Sequence, residues 1–140
     1  MELRIYLFDK LVSDAQKLRT DVFINEQGFK NEFDEIDDRA THVIIYDKNI
    51  PVATGRLYTN DGENYIIGRV CVAKDYRDKH LGKRVISALE EDARKMGGKA
   101  VSVLAQCRVQ GFYEKLGYTA TDDLHDDEGC PHVTMIKSLR

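Results

Sequence analysis

One stretch constrains the fold of this chain more than any other. After Val72 an apolar run gives way to the basic, glycine-bearing segment KDYRDKHLGKR (74–84). A long amphipathic pattern follows, in which Leu81, Val85, Ile86, Leu89, Ala93 and Met96 form one helical stripe. Gly97-Gly98 ends it as a helix stop. A helix with one apolar stripe has to be packed, and the neighbouring strand patterns supply a sheet. A loop that opens a helix also presents free N–H groups and the positive end of the helix dipole, which favours an anion. The local charge agrees. Lys74, Arg77, Lys79, Lys83 and Arg84 stand against Asp75 and Asp78, so five minus two gives +3. The whole chain carries -3, which leaves -6 on the other 129 residues. The segment is neither a GxxxxGK[ST] phosphate loop nor a GxGxxG dinucleotide turn.

The remaining patterns fill in an α+β order. Residues 2–8 alternate, with Leu3, Ile5 and Leu7 on one face, and read as a strand. Residues 11–25 carry helical spacing and end at Gly28, and the polar 27–40 reads as loop. Strands follow at 41–47 and 51–59, joined by a short hairpin link. Asn60-Asp61-Gly62 is a turn signal that leads into a third antiparallel strand at 65–72. After the helix come a buried-type strand (100–106), a short helix (109–116) and two final strands, 118–124 and 132–139. The order β α β β β α β α β β implies a mainly antiparallel sheet.

Composition narrows the classes. A length of 140 residues with two prolines and no low-complexity stretch fits one domain, 1–140. No run approaches the roughly 20 apolar residues of a membrane span, and Glu2 and Arg4 interrupt any leader-like start. Cys71, Cys107 and Cys130 are odd in number and form no CxxC, so neither a disulfide framework nor a metal site is expected. A cytoplasmic location follows from that usage. The small acidic excess argues against a nucleic-acid partner.

At this point the residues carry a resemblance. VCVAKDYRDKHLGKRVISALEEDA resembles the acyl-CoA-binding segment of the GCN5-related N-acetyltransferases, the GNAT family, whose pattern is [RQ]-x-x-G-x-[GA] after a strand. Arg77 fills its first position and Gly82 its last, while His80 replaces the family's first glycine. A histidine fits there if its φ is that of a right-handed helix. AQCRVQGFYEKLGY (105–118) is similar to the family's second segment, Asn-x-x-A-x-x-F-Y-x-x-x-G-[FY]; Phe112, Tyr113, Gly117 and Tyr118 match, and Gln106 stands at the asparagine. Arg19 to Gln27 together with EGCPHVTMIK (128–137) resembles a small bacterial subgroup of the ElaA and YjcF type.

The resemblance implies the GNAT acyl-CoA N-acyltransferase fold, a mainly antiparallel mixed sheet of six to seven strands with about four helices. It implies acetyl-CoA as co-substrate and a primary amine, small and cationic or on a protein, as acceptor, in direct transfer within a ternary complex. The N–H groups of Arg77, Asp78, Lys79, His80, Leu81, Gly82 and Lys83 are expected to hold the pyrophosphate. Cys71 and Val72 are expected to line the pantetheine arm, and Gln106 and Tyr113 to belong to the cofactor site. Tyr113 is the expected general acid; Glu26, Asp37, His42 and His132 are base candidates. Two acidic runs, 32–38 and 122–128, read either as solvated loops or as a field for a cationic amine, with Glu26, Glu35 and Asp37 as acceptor contacts. A homodimer through the terminal strands is a further expectation. The competing reading is a non-catalytic acyl-CoA sensor or regulatory module; a nucleotide-phosphate binder using residues 77–83 is a third.

Overall fold

The computed structural model describes residues 1–139. One seven-stranded sheet contains β1 (Leu3–Phe8), β2 (Thr41–Asp47), β3 (Ile50–Thr59), β4 (Asn64–Val72), β5 (Ala100–Gln106), β6 (Thr119–Asp127) and β7 (Cys130–Ser138). Their spatial order is β1-β2-β3-β4-β5-β7-β6. Every neighbouring pair is antiparallel except β4 and β5. Among the described residues there are three α-helices rather than four: α1 (Ser13–Arg19), α2 (Leu81–Lys95) and α3 (Gln110–Lys115). The single helix expected over 11–25 is instead α1 continued by a π-helical stretch, Thr20–Glu26. The final hairpin is tighter than expected, because β6 runs on to Asp127 and leaves only Glu128-Gly129 as the turn. No helix of the described residues is long and apolar enough to cross a membrane.

The centre of the sheet is covered on both faces, which explains why THVIIYD is a continuous apolar run rather than an alternating one. Val43 and Ile45 pack with Val85, Ile86 and Leu89 of α2. Ile44 and Cys71 pack with Ala15, Leu18 and Val22 on the opposite face. β1 departs from expectation. It alternates, but as an edge strand it leaves Ile5 38% and Leu7 48% exposed. The approach of α2 to β3 depends on Gly55, where an added Cβ would lie 2.6 Å from Val85 Cγ1 and 3.2 Å from Leu89 Cδ1.

Two features open the sheet in its middle. The parallel ladder between β4 and β5 has four rungs, from Asn64 with Ala100 to Ile67 with Val103, and ends there. Beyond it, β4 bulges. Thr54 opposes Cys71 but Arg56 opposes Gly68, so Gly55 faces two residues of β4. Arg69 lies in that bulge with φ +53°, a left-handed conformation that a residue with a Cβ adopts at a cost of order 1–3 kcal/mol.

Ion pairs hold the segment after α1 against this region. Arg19, 1% exposed, donates from Nε to Glu32 Oε2 at 2.9 Å and from Nη1 to Asp37 Oδ1 at 2.7 Å. Its Nη2 reaches Asp37 Oδ2 at 3.1 Å and the Glu32 carbonyl at 3.0 Å. Arg56 donates to Asp34 and Asp37, and Arg69 pairs with Glu32 and Asp34. Three guanidinium groups thus meet three carboxylates, and the charges cancel. The acidic run 32–38 is therefore not an open field for an amine.

Burial by itself raises the Asp37 carboxyl, but Arg19, the Asp34 N–H and Arg56 outweigh it and hold Asp37 at about 2. Burial pushes Glu32 the other way. For Asp37 the sign is that of a depressed acid. Its contribution is complete above about pH 4 and is lost as the pH falls toward 2. We expect Asp37→Asn to lower stability at neutral pH and to flatten the acid limb of the stability curve in that window, measured by urea denaturation. Gly55→Val should cost about 1–3 kcal/mol by overpacking α2 on β3. Gly55→Val with Val85→Ala should recover part of that loss, because the two changes share one space.

Candidate functional site

The site begins where β4 and β5 part. Three adjoining cavities run through this gap. The largest, about 590 Å³, lies beside the basic loop and is lined by Val22, Glu26, Cys71, Val72, Arg77, Asp78, His80, Leu81 and Gly82, among others. An inner cavity of about 170 Å³ shares Gln27, Val70, Arg108, Val109 and Tyr113 with it. An outer cavity of about 260 Å³ shares Ile67, Gly68, Arg69, Leu104, Asp127 and His132 with the inner one. The gap is thus continuous from the loop to the face of the sheet that carries α1.

The loop departs from expectation in its backbone. His80, the residue before α2, has φ +61° and ψ +25°, so it adopts the left-handed conformation of the glycine it replaces rather than a right-handed one. Asp78 has φ +65°. No side chain caps α2, so the N–H groups of its first turn are free of a cap. Alternation of left-handed and other residues ahead of a helix builds a concavity of N–H groups that suits an anion. Arg77 is held over this loop. Its Nε donates to the Val72 carbonyl at 3.1 Å, and its Nη1 and Nη2 donate to Glu26 at 2.6 and 2.8 Å. Gly82 lets the Phe112 ring come close, since an added Cβ would lie 3.3 Å from Phe112 Cζ. Lys79 and Lys83 are exposed and line none of the three cavities.

Tyr113 sits where the large and inner cavities join. α3 brings it there, and Phe112 and Tyr118 brace its ring edge-to-face at 5.0 and 5.8 Å. Its hydroxyl makes no hydrogen bond among the described residues, and burial pushes it up to about 12, so it stays protonated at neutral pH. Tyr118, which shares the motif, is a structural residue. Its hydroxyl donates to the buried Glu90 at 2.7 Å. Cys71 is buried and also raised to about 12 by burial, which makes it a wall rather than a nucleophile.

The base candidates separate by position. Glu26 lines the large cavity, but its carboxylate is engaged by Arg77, which holds it below the usual carboxylate range. Asp37 is locked in the arginine network, and Glu35 is exposed and away from all three cavities. His42 is buried beneath the loop, with Nε2 bonded to the Asp37 carbonyl at 3.0 Å, and burial lowers its pKa. His132 lines both the inner and outer cavities. Its Nδ1 lies 2.8 Å from the Cys130 carbonyl. A carbonyl oxygen only accepts, so Nδ1 carries the proton and Nε2 is left as the basic atom of the neutral ring. Phe29 and His125 pack on this ring at 6.5 and 5.8 Å.

Gln106 belongs to a side-chain chain at the junction. It accepts from Arg108 Nε at 2.7 Å and donates to Gln27 Oε1 at 2.9 Å. Arg108, Gln27 and Arg69 were not singled out by sequence reasoning. For Arg69 a signal was present: a Gly-Arg pair interrupting the apolar strand IIGRVCV marks a bulge.

Comparison with known proteins agrees with this architecture. The family described as "Acetyltransferase (GNAT) domain" matches residues 11–139. The chain is similar to the uncharacterized N-acetyltransferase YjcF of Bacillus subtilis (strain 168), 33% identical over 92% of this chain and 94% of that protein. A crystal structure from Lactobacillus plantarum superimposes over the whole of both chains with a TM-score of 0.91 at 31% identity. That of an acyl-CoA N-acyltransferase from Pseudomonas aeruginosa superimposes with a TM-score of 0.83 at 25% identity, covering 97% of this chain and 99% of that one. With a cleft formed by parting strands, a glycine-bearing loop opening α2 and a family match across nearly its whole length, the chain belongs to the GNAT acetyltransferase family.

Proposed function

We propose that the protein is an N-acetyltransferase that moves the acetyl group of acetyl-CoA to a primary amine by direct attack in a ternary complex. One observation carries the reading: Tyr113 and His132 line the same inner cavity, each opening toward a different neighbour. The coenzyme enters from the loop side, with its pyrophosphate on the N–H groups between Arg77 and Lys83 and its pantetheine arm along Cys71 and Val72. The amine enters from the face of the sheet that carries α1.

The chemistry divides between the two side chains. The acceptor nitrogen attacks only when its lone pair is free, so its ammonium proton passes to His132 Nε2. The new N–C bond forms as the C–S bond breaks, and the leaving sulfur takes a proton from the Tyr113 hydroxyl. A tyrosine with a raised pKa remains a loaded donor for a thiolate. Sensing of acyl-CoA without transfer requires neither the free Tyr113 hydroxyl nor the tautomer imposed on His132.

Release of free thiol from acetyl-CoA in the presence of an amine panel tests the activity. Tyr113→Phe should lower kcat by about tenfold or more with little change in KM for acetyl-CoA. His132→Asn should slow transfer to an ordinary amine but spare transfer to hydroxylamine, a nucleophile that is already neutral at pH 7. Stabilisation by coenzyme A with no turnover for any amine would instead establish a sensor.

A further inference from the structure

The outer cavity has two unlike walls. On one side are Arg56, Tyr58, Gly68 and Arg69 of β3 and β4; on the other are His125, Asp126, Asp127 and His132 of the β6–β7 hairpin. Arg56 is 4% exposed, and its Nε is the one buried side-chain polar atom without a hydrogen-bond partner among the described residues. That atom faces Gly68. It lies 3.9 Å from where a Cβ would stand, and among the described residues no other group beyond the chain neighbours of Gly68 lies within 4 Å of that point. Gly68 itself lines both the inner and outer cavities.

Arg69 adds a second donor. Its Nε and Nη2 are used by the Glu32 carbonyl and Asp34, but its Nη1 has no hydrogen-bond partner among the described residues. Burial lowers the Arg69 pKa, and Arg56 and Arg19 add to this against the pull of Glu32. An incoming anion would relieve that cost. Across the cavity the Asp127 carboxylate accepts no hydrogen bond and forms no ion pair among the described residues, while Asp126 accepts from the Gly129 N–H.

We propose that the acceptor is an amine bearing a carboxylate, an amino-acid-like zwitterion. Its carboxylate lies over Gly68 against Arg69 and the Nε of Arg56. Its ammonium group faces Asp127 and gives its proton to His132. A simple cationic amine would leave two donors on the arginine wall unanswered, and unpaired polar groups are what a site of this kind discriminates against. This assignment rests on the reading of the cleft as a transferase site.

The test compares common α-amino acids with their own decarboxylation products, such as L-lysine with cadaverine and L-histidine with histamine, at saturating acetyl-CoA. We expect the best acceptor to be an amino acid with kcat/KM at least about tenfold above its decarboxylated partner. Arg69→Gln, and separately Gly68→Leu, should bring that ratio close to one while acetyl-CoA binding, read by calorimetry, is unchanged. Equal or better rates for the decarboxylated partners, or a ratio that survives both variants, would overturn the proposal. Binding without chemistry keeps the two readings apart. In the presence of coenzyme A the amino acid should raise the melting temperature and its decarboxylated partner should not. That result with no turnover would sink the transferase reading and leave the carboxylate site standing; no shift with any amino acid and no turnover would sink both.

Discussion

A guanidinium group buried to 1% exposure must have its charge answered, and the answer given to Arg19 organises one whole side of the protein. Its partners, Glu32 and Asp37, lie in the connection after the π-helical stretch, and they in turn bind Arg56 and Arg69 on the sheet. The network therefore ties the segment after α1 to two strands, beside the apolar cluster by which α1 itself packs on the sheet. Removing Arg19 or Asp37 leaves a buried charge uncompensated. This is why a segment with only one short 3-10 turn, Glu35–Asp38, can still present fixed side chains to the cleft.

The cleft itself is assembled from local departures from regular backbone. A bulge places Arg69 at φ +53° on one lip, and Asp78 and His80 adopt left-handed conformations at the loop. The π-helical stretch ends on Glu26. Strained or irregular conformations persist where the surrounding structure over-determines them. Here the surroundings are specific: Arg69 is fixed by its carboxylates, and the loop is fixed by the Arg77 bridge to Glu26. Irregularity and ion pairing are two sides of one arrangement.

Much of this was legible beforehand, and the reason differs by element. The succession of strands along the chain and α2 follow from periodicity, a short-range signal. The basic loop ahead of α2 follows from local charge and from Arg77 and Gly82 at family spacing. The acidic run 32–38 was not legible, because its partners Arg19, Arg56 and Arg69 lie far away in sequence and only the sheet brings them together. The same limit applied to the histidines. His42 and His132 both sit on strands, each followed by a valine, but one is buried under a loop and the other lines the gap. His80 misled for another reason: its conformation is imposed by the turn into α2, not by its own preference.

The four rungs joining β4 to β5 carry a consequence for how the molecule assembles. Strands β2 to β4 pair antiparallel with their sequence neighbours through short connections, as do β6 and β7, and hairpins of this kind close short loops. The parallel joint instead unites residues 64 and 100, thirty-six positions apart, and spans α2. Contacts so distant in sequence are the slow ones to form. The β2–β4 meander and the β6–β7 hairpin are therefore natural early units, and the cleft lies at the joint that closes after them: a boundary in folding order before it is an opening in the sheet.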